Sequence, residues 1–409
     1  MTIKNAIYAQ SGGVTAVINA SACGVIQTAR QHPQHINKVY AAKNGIVGAL
    51  EGLLIDTSFE SDEDIAKLMH TPSGAFGSCR HKLKDSGDEY QRLIEVFKKH
   101  DIGYFFYNGG GDSQDTANKV ARMSSTLGYP ITCVGIPKTV DNDLPFTDSC
   151  PGFGSVAKYV AISTKEAGFD VASMAATSTK VFILEVMGRH AGWIAAASGL
   201  AGSNSNEPPH LILFPEVAFN PEVFLKRVAE CVAENGYCVV VVSEGVRDES
   251  GQFLSDAGLR DAFGHAQLGG VAPVIAQLIK KELNLKYHWA VADYLQRAAR
   301  HIASQVDVDQ AYALGKAAVT LAINGQNAMM PIIVREQDHP YRWSIGQVPL
   351  SEVANVEKTM PAEFIREDGM GITEACRRYL SPLIQGEAYP PYINGLPDYV
   401  RLKNQLVGS

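Results

Sequence analysis

The chain has 409 residues, 46% of them hydrophobic, enough to bury a large core in one big α/β unit or in two or three domains. Its formal net charge of −7 excludes nucleic acid as the main partner, because a duplex binder needs a basic face to displace counterions. No stretch approaches the roughly 18 apolar residues of a membrane span, and residues 1–13 lack a basic flank before a long apolar run, so the expected setting is the cytoplasm with no membrane partner.

Apolar runs at 6–9, 39–42, 102–107, 131–136, 181–186, 211–214 and 237–242 predict strands. Helical patterns at 14–31, 90–100, 115–127, 155–167, 221–235, 271–283 and 308–323 fall among them. This βαβ rhythm predicts an α/β fold with a parallel sheet covered by helices. The Pro- and Tyr-rich segment from about Met330 onward reads as a helical and loop extension. Seven cysteines without a CxxC pair or zinc-like spacing are expected as reduced, mostly buried thiols. His190, His210, His265 and His288 likewise show no paired metal-ligand spacing.

Ligands of open parallel sheets gather at the carboxyl ends of the strands. Those ends carry Gln10-Ser11-Gly12-Gly13, Lys43-Asn44-Gly45, Asn108-Gly109-Gly110-Gly111-Asp112-Ser113, Pro137-Lys138-Thr139-Val140-Asp141-Asn142-Asp143, Met187-Gly188-Arg189 and Ser243-Glu244-Gly245. Structural connections alone would supply glycine turns without concentrating Lys, Arg, Asp and Glu there, so a large catalytic cleft is expected. Asp141 and Asp143 are two apart. If strand geometry persisted they would share a face, and mutual repulsion would raise one pKa toward a value suited to proton abstraction. The other reading of the heptad is a polar turn whose Asp and Asn side chains cap backbone amides. The loops at Gly12-Gly13 and Gly109-Gly110-Gly111 lie between strand and helix, where bare amides can cradle phosphate oxygens, although a tight turn needs the same glycines. Arg80, in Gly74-Ala75-Phe76-Gly77-Ser78-Cys79-Arg80, adds a positive fork or is a surface arginine. Neither glycine loop is a Walker A motif or a full GxGxxG, which argues against a nicotinamide dehydrogenase.

Taken together, the two glycine loops, the lysine heptad, Glu185-Val186-Met187-Gly188-Arg189, Ser243-Glu244-Gly245 and Tyr294-Leu295-Gln296-Arg297 resemble the phosphofructokinase family over about residues 5–330. The resemblance implies two Rossmann-like parallel-sheet lobes with a cleft between them and a C-terminal helical extension: a donor lobe at 1–145, rejoined by part of the C-terminal region, a fructose 6-phosphate lobe at 146–335 and the extension at 336–409, packing on the lobes. It implies Asp141 as the general base toward the sugar 1-hydroxyl, with Thr139, Val140 and Asp143 beside it. Met187, Gly188 and Arg189 would hold the sugar and steady the transferring phosphoryl, and Glu244 would bind sugar hydroxyls. Tyr294, Leu295, Gln296 and Arg297 match the segment that grips the 6-phosphate, and Lys180 matches an arginine that reaches a neighbouring subunit, so a homodimer or homotetramer is expected. Gly264-His265-Ala266-Gln267-Leu268 competes for the same role but lacks the arginine. Gly12, Gly13, Arg80, Gly110, Gly111, Asp112 and Ser113 match the donor side.

Family members that use ATP commonly read Gly-Gly-Asp-Gly-Ser and Pro-Gly-Thr-(Ile/Val)-Asp-Asn-Asp. Here Asp112 and Lys138 replace the two glycines, which resembles the pyrophosphate-dependent branch. A carboxylate about 4 Å from a nucleotide's inner phosphate would cost on the order of 4 kcal/mol at an effective dielectric near 20. Asp112 is therefore expected to exclude ATP, while Lys138 supplies charge for a compact donor. An ATP-dependent enzyme tolerating Asp112 and a noncatalytic sugar-phosphate-binding subunit are the alternatives. Gly111 stands where the family carries an aspartate near its Mg2+, leaving Asp112 or Asp141 and the donor oxygens to organise the ion. Cys23 replaces an effector-binding arginine, so nucleotide effector control is not expected.

Overall fold

The computed structural model describes residues 3–84, 88–204, 206–260, 266–268 and 270–408. Each apolar run read as a strand forms one: β1 (Lys4–Gln10), β2 (Ile36–Ala42), β4 (Ile102–Gly109), β5 (Thr132–Pro137), β6 (Val181–Val186), β7 (Leu211–Leu213) and β8 (Cys238–Ser243). Further strands lie outside those runs, among them β3 (Leu54–Asp56), Tyr287–Val291, Met329–Gln337 and Arg342–Pro349. By their contacts the residues form two compact units: Met1–Ser155, Ala298–Glu357 and Gly386–Ser409 make the first, Val156–Arg297 and Lys358–Gln385 the second.

The first unit is built on a seven-stranded sheet in the order Arg342–Pro349, Met329–Gln337, β5, β4, β1, β2, β3. β5, β4, β1 and β2 run parallel, while β3 and the hairpin's outer strand are antiparallel to their neighbours. Alternate residues feed opposite faces. Ile7, Phe105, Tyr107 and Cys133 pack with Leu93, Phe97 and Val120 on one side, and Ala6, Tyr8, Phe106 and Val134 with Cys23, Ile26 and Val319 on the other. Burial on both faces is why these strands read as continuous apolar runs rather than alternating ones.

The first unit is rejoined by part of the C-terminal region, and neither unit is one continuous stretch of chain. Residues 298–335 join the first unit, and 336–409 is shared between both. The helix Gln305–Ile323 puts Ala318, Val319 and Ala322 against the Ile18–Arg30 helix, and the hairpin extends the sheet beyond β5. The segment from Met330 onward thus opens as a hairpin strand rather than a helix, as its Ile332-Ile333-Val334 run favours.

The second unit holds an all-parallel sheet in the order Tyr287–Val291, β6, β8, β7. Val181, Ile183, Val240 and Val242 pack against Phe224 and Val228 of the helix Pro221–Asn235 and Ile275 and Ile279 of Val271–Leu283. No helix among the described residues is long and apolar enough to cross a membrane. All seven cysteines are free, six buried and Cys79 partly so, as expected of reduced thiols.

Candidate active site

In the first unit the donor candidates sit at the carboxyl ends of β1, β4 and β5. Gly12 takes φ +75°, a left-handed conformation that favours glycine. Its N–H donates to Cys79 O at 2.9 Å and its carbonyl accepts from Ser78 Oγ at 2.8 Å, which draws the loop before the exposed Arg80 onto the first glycine turn. Gly110 precedes the helix Gly111–Thr126. A Cβ on Gly111 would meet nothing within 4 Å, and one on Gly110 only Lys138 O at 3.8 Å, so the backbone there faces open space that a phosphate could use. Ser113 is buried at the first helical turn.

Lys138 is the cation of this cluster. It is 4% exposed, its Nζ donates to Gly13 O at 2.7 Å, and its backbone N–H donates to Gly109 O at 3.2 Å. One residue therefore links both glycine loops. Asp112 behaves differently from its expected role as an uncompensated negative charge. Its carboxylate is 47% exposed and accepts from Lys82 Nζ at 2.9 Å. Sequence reasoning missed Lys82, whose 30-residue separation from Asp112 gives no local signal.

Strand geometry does not persist through the heptad. β5 ends at Pro137, and Asn142, between the two acids, adopts φ +54°. Thr139 Oγ1 accepts the Asp141 N–H at 3.1 Å, and Asn142 Oδ1 accepts the Cys150 N–H at 3.0 Å. The expected shared strand face for Asp141 and Asp143 is replaced by a hydrogen-bonded turn with both acids half-buried. Val140 is also half-buried. Thr139 forms a parallel bridge with Gly152, whose N–H donates to Asp307 Oδ1 at 2.9 Å. Asp307 also accepts from Ser155 N and Oγ at 2.9 and 2.6 Å, so this buried carboxylate anchors the far end of the turn. Two amides were also missed. Gln10 and Asn108, register partners at the ends of β1 and β4, are fully buried. Both Gln10 amide atoms and Asn108 Oδ1 have no hydrogen-bond partner among the described residues, as expected of groups awaiting a polar ligand.

In the second unit the sugar candidates gather at the carboxyl ends of adjacent parallel strands. After β6, Gly188 has φ +128° and its N–H donates to Glu244 Oε1 at 3.4 Å, while the Glu244 N–H donates to Val186 O at 2.9 Å. A Cβ on Gly245 would lie 2.1 Å from Arg189 O, so the two loops approach as closely as glycine permits. Burial pushes the Glu244 carboxyl up, with the Gly188 N–H and Arg189 pulling the other way. Arg189 Nε is buried without a partner among the described residues. Following Tyr287–Val291, the buried Gln296 accepts the Met187 N–H at 3.3 Å. Arg297 lies over the Tyr294 ring, 3.9 Å from its centroid, and Tyr294 and Leu295 are exposed. Lys180 is not part of this gathering. It precedes β6 at the opposite end of the strand, and its Nζ donates to Ala175 O. Gly264 and His265 lie outside the described residues, as do the side chains of Ala266, Gln267 and Leu268. The Glu185 carboxylate accepts the Ala272 N–H at 2.8 Å, and burial raises its pKa.

Parallel α/β units with glycine turns and charged groups at their strand ends define a protein suited to phosphorylated small molecules. This chain belongs to the phosphofructokinase family, whose model matches residues 5–322. It is 68% identical over 410 residues to the pyrophosphate--fructose 6-phosphate 1-phosphotransferase of Methylococcus capsulatus, covering 100% of this chain and 98% of that one. It is 65% identical to the protein of the same description from Halomonas elongata, with the same coverage. The crystal structure of the pyrophosphate-dependent phosphofructokinase from Marinobacter aquaeolei matches with a TM-score of 0.92 at 66% identity, covering 100% of this chain and 98% of that one.

Proposed function

We infer that this chain transfers a phosphoryl group from pyrophosphate to the 1-hydroxyl of D-fructose 6-phosphate, giving fructose 1,6-bisphosphate and phosphate in a reversible reaction of glycolysis and gluconeogenesis. The geometric observation that carries the choice of donor is Lys138, a buried cation joined to both glycine loops. A fixed ammonium there suits the oxygens of a small, highly charged donor and stabilises charge on the phosphoryl in flight. The relatives named above support the same reading. Asp141 takes the proton from the 1-hydroxyl, and Thr139 fixes its backbone. Met187, Gly188 and Glu244 hold sugar hydroxyls, Arg189 steadies the phosphoryl, and Arg297 with Tyr294 and Gln296 binds the 6-phosphate.

Mg2+ is proposed as the cofactor. Among the described residues no three carboxylates converge in the first unit, which suits an ion that keeps water and phosphate ligands and takes only one or two from the protein. Asp141 is the better candidate ligand, since Lys82 occupies Asp112. When bound, the ion would neutralise donor charge. A cytoplasmic homo-oligomer in which Lys180 serves a neighbouring sugar site is also proposed. Mixing Lys180→Ala and Asp141→Ser variants should restore part of the activity, and no rescue in reassembled oligomers would refute the shared site. Cys23 is fully buried in the core, which supports the absence of a nucleotide effector site at that position.

The Asp112–Lys82 pair favours keeping ATP as a second reading, because a compensated carboxylate repels a nucleotide less. A coupled assay with pyrophosphate, ATP or polyphosphate at fixed fructose 6-phosphate and magnesium separates the two. Pyrophosphate should give the highest kcat/KM, and an equal or higher value with ATP would overturn the proposal.

A further inference from the structure

Three buried side chains of the second unit converge at the amino-terminal side of its sheet. His210 precedes β7, Cys231 lies near the end of the helix Pro221–Asn235, and Cys238 opens β8. A ring nitrogen of His210 and the two sulfurs all lie within 4.8 Å of one another. Such a trio invites a soft metal. The imidazole argues otherwise. His210 Nδ1 accepts the Val239 backbone N–H at 2.9 Å, and the His210 backbone N–H donates to Val239 O at 2.9 Å, which staples the residue to β8. An imidazole accepting at Nδ1 carries its proton on Nε2 when neutral. Metal at Nε2 would require a proton on Nδ1, pointing at the Val239 N–H, and Nδ1 itself is occupied. The ring can hold neither position open without breaking a strand contact.

What the ring has left is a buried Nε2 without a hydrogen-bond partner among the described residues. The Cys231 sulfur accepts from Asn235 Nδ2 at 3.7 Å, and its neighbours, Cys238 first and then His210 and Asn235, hold its thiol well below the ordinary range. As a thiol, Cys231 donates to Tyr237 O at 3.4 Å. Interaction with Cys231, followed by burial, pushes the Cys238 thiol up. The two thiols are pushed in opposite directions, Cys231 down and Cys238 up, the division of roles that an oxidisable dithiol needs. Cys231 lies just below the surface, since Gly236 is exposed and Tyr237 half-buried. His210, but neither cysteine, also lines a cavity of about 200 Å³ with Gly202, Asn204, Pro209 and Arg377.

We propose that Cys231 and Cys238 are a modification site for small hydroperoxides, closing a disulfide between the end of the helix Pro221–Asn235 and the start of β8. The Cys231 thiolate attacks a peroxide oxygen and breaks the O–O bond, leaving a sulfenic acid and an alkoxide or hydroxide that takes a proton from water. The Cys238 sulfur then attacks the Cys231 sulfur, the S–O bond breaks, and the departing hydroxide leaves as water with the Cys238 proton. The two thiols are oxidised, and the hydroperoxide is reduced to an alcohol or water. Closure needs the sulfurs, which lie within 4.8 Å of each other, to approach to about 2.05 Å.

The test treats the full-length protein with hydrogen peroxide and follows free thiols, intact mass and a non-reducing peptide map. Two of the seven thiols should disappear with loss of two hydrogens per chain, the map should join Cys231 to Cys238, and dithiothreitol should reverse both. Cys231→Ser should abolish the fast two-thiol phase, and Cys238→Ser should stop at a sulfenic acid trapped by dimedone. Cys231 should react at least about tenfold faster than the more exposed Cys79, as its thiolate fraction requires. Should a serine variant fail to fold, alkylation of the unmodified protein still decides, because Cys231 must be labelled before Cys79. Equal rates for the two, a disulfide mapped elsewhere, or stoichiometric zinc retained by the wild type and lost in His210→Ala would overturn the proposal.

Discussion

Replacing Asp112 with glycine tests the proposed donor selection most directly. Pyrophosphate ends before the inner phosphate of a nucleotide begins, so only ATP would bring a further phosphate toward the Asp112 carboxylate. A phosphate oxygen about 4 Å away would be repelled by about 2 kcal/mol at an effective dielectric near 40, appropriate because the side chain is nearly half exposed. Lys82, 2.9 Å beyond that carboxylate, would return about 1 kcal/mol from about 7 Å. The net is about 1 kcal/mol, or about fivefold. Asp112→Gly removes the repulsion of about 2 kcal/mol and leaves Lys82 in place, so it should raise the ATP-to-pyrophosphate ratio of kcat/KM by about thirtyfold, below the thousandfold of an uncompensated, desolvated charge. Lys82→Met should move the ratio the other way by about fivefold, because it removes the compensating attraction of about 1 kcal/mol and uncovers Asp112. Specificity constants for both donors, measured with Mg2+ and fructose 6-phosphate held constant, give the answer. A ratio unchanged in Asp112→Gly would refute the electrostatic argument, and an unchanged Lys82→Met would refute the compensation.

Asp141→Ser should lower kcat by roughly 10²- to 10⁴-fold with smaller changes in KM, as loss of a general base does, and near-normal turnover would remove Asp141 from that role. Arg297→Ala removes a charge-assisted contact worth about 1.5–3 kcal/mol, so KM for fructose 6-phosphate should rise by roughly 10- to 150-fold while that for pyrophosphate stays nearly constant. Glu185 has its folded pKa raised by burial, so the stability it contributes is complete below its unfolded value and is lost as pH rises through the folded one. Urea midpoints of wild type and Glu185→Gln, compared from about pH 4 to 8, should show the wild type losing ground with rising pH and then levelling, and a constant difference would contradict the assignment.

Much of this architecture was legible because strands buried on both faces announce themselves as unbroken apolar runs, and β1, β4 and β5 are of that kind. The strand Tyr287–Val291 was not legible: it borders its sheet, several of its side chains are exposed, and its pattern is mixed. Met329–Gln337 and Arg342–Pro349 were lost because the long segment they open is rich in Pro and Tyr, which resembles a loop until the pairing of Met330 with Val348 is known. In the candidate site, strand-end glycines and charges located the loops, but not which charges would pair. Lys82 compensates Asp112 across 30 residues, and a left-handed Asn142 separates two acids that spacing alone would align. The His210, Cys231 and Cys238 cluster was invisible for the same reason, since a sheet and a helix end bring together residues without ligand-like spacing.

The hairpin that completes the first sheet also sets an order of events at the ribosome. β5 ends at Pro137, but the strands that extend the sheet beyond it finish only at Pro349. At about 5–20 residues per second, the intervening segment of about 200 residues leaves the β5 edge without its native neighbours for roughly 10–40 s. Nascent chains bearing an open apolar edge are exposed to pairing with one another. Stalling translation between these points should therefore yield intermediates that chaperones hold more tightly than chains released after the hairpin has emerged.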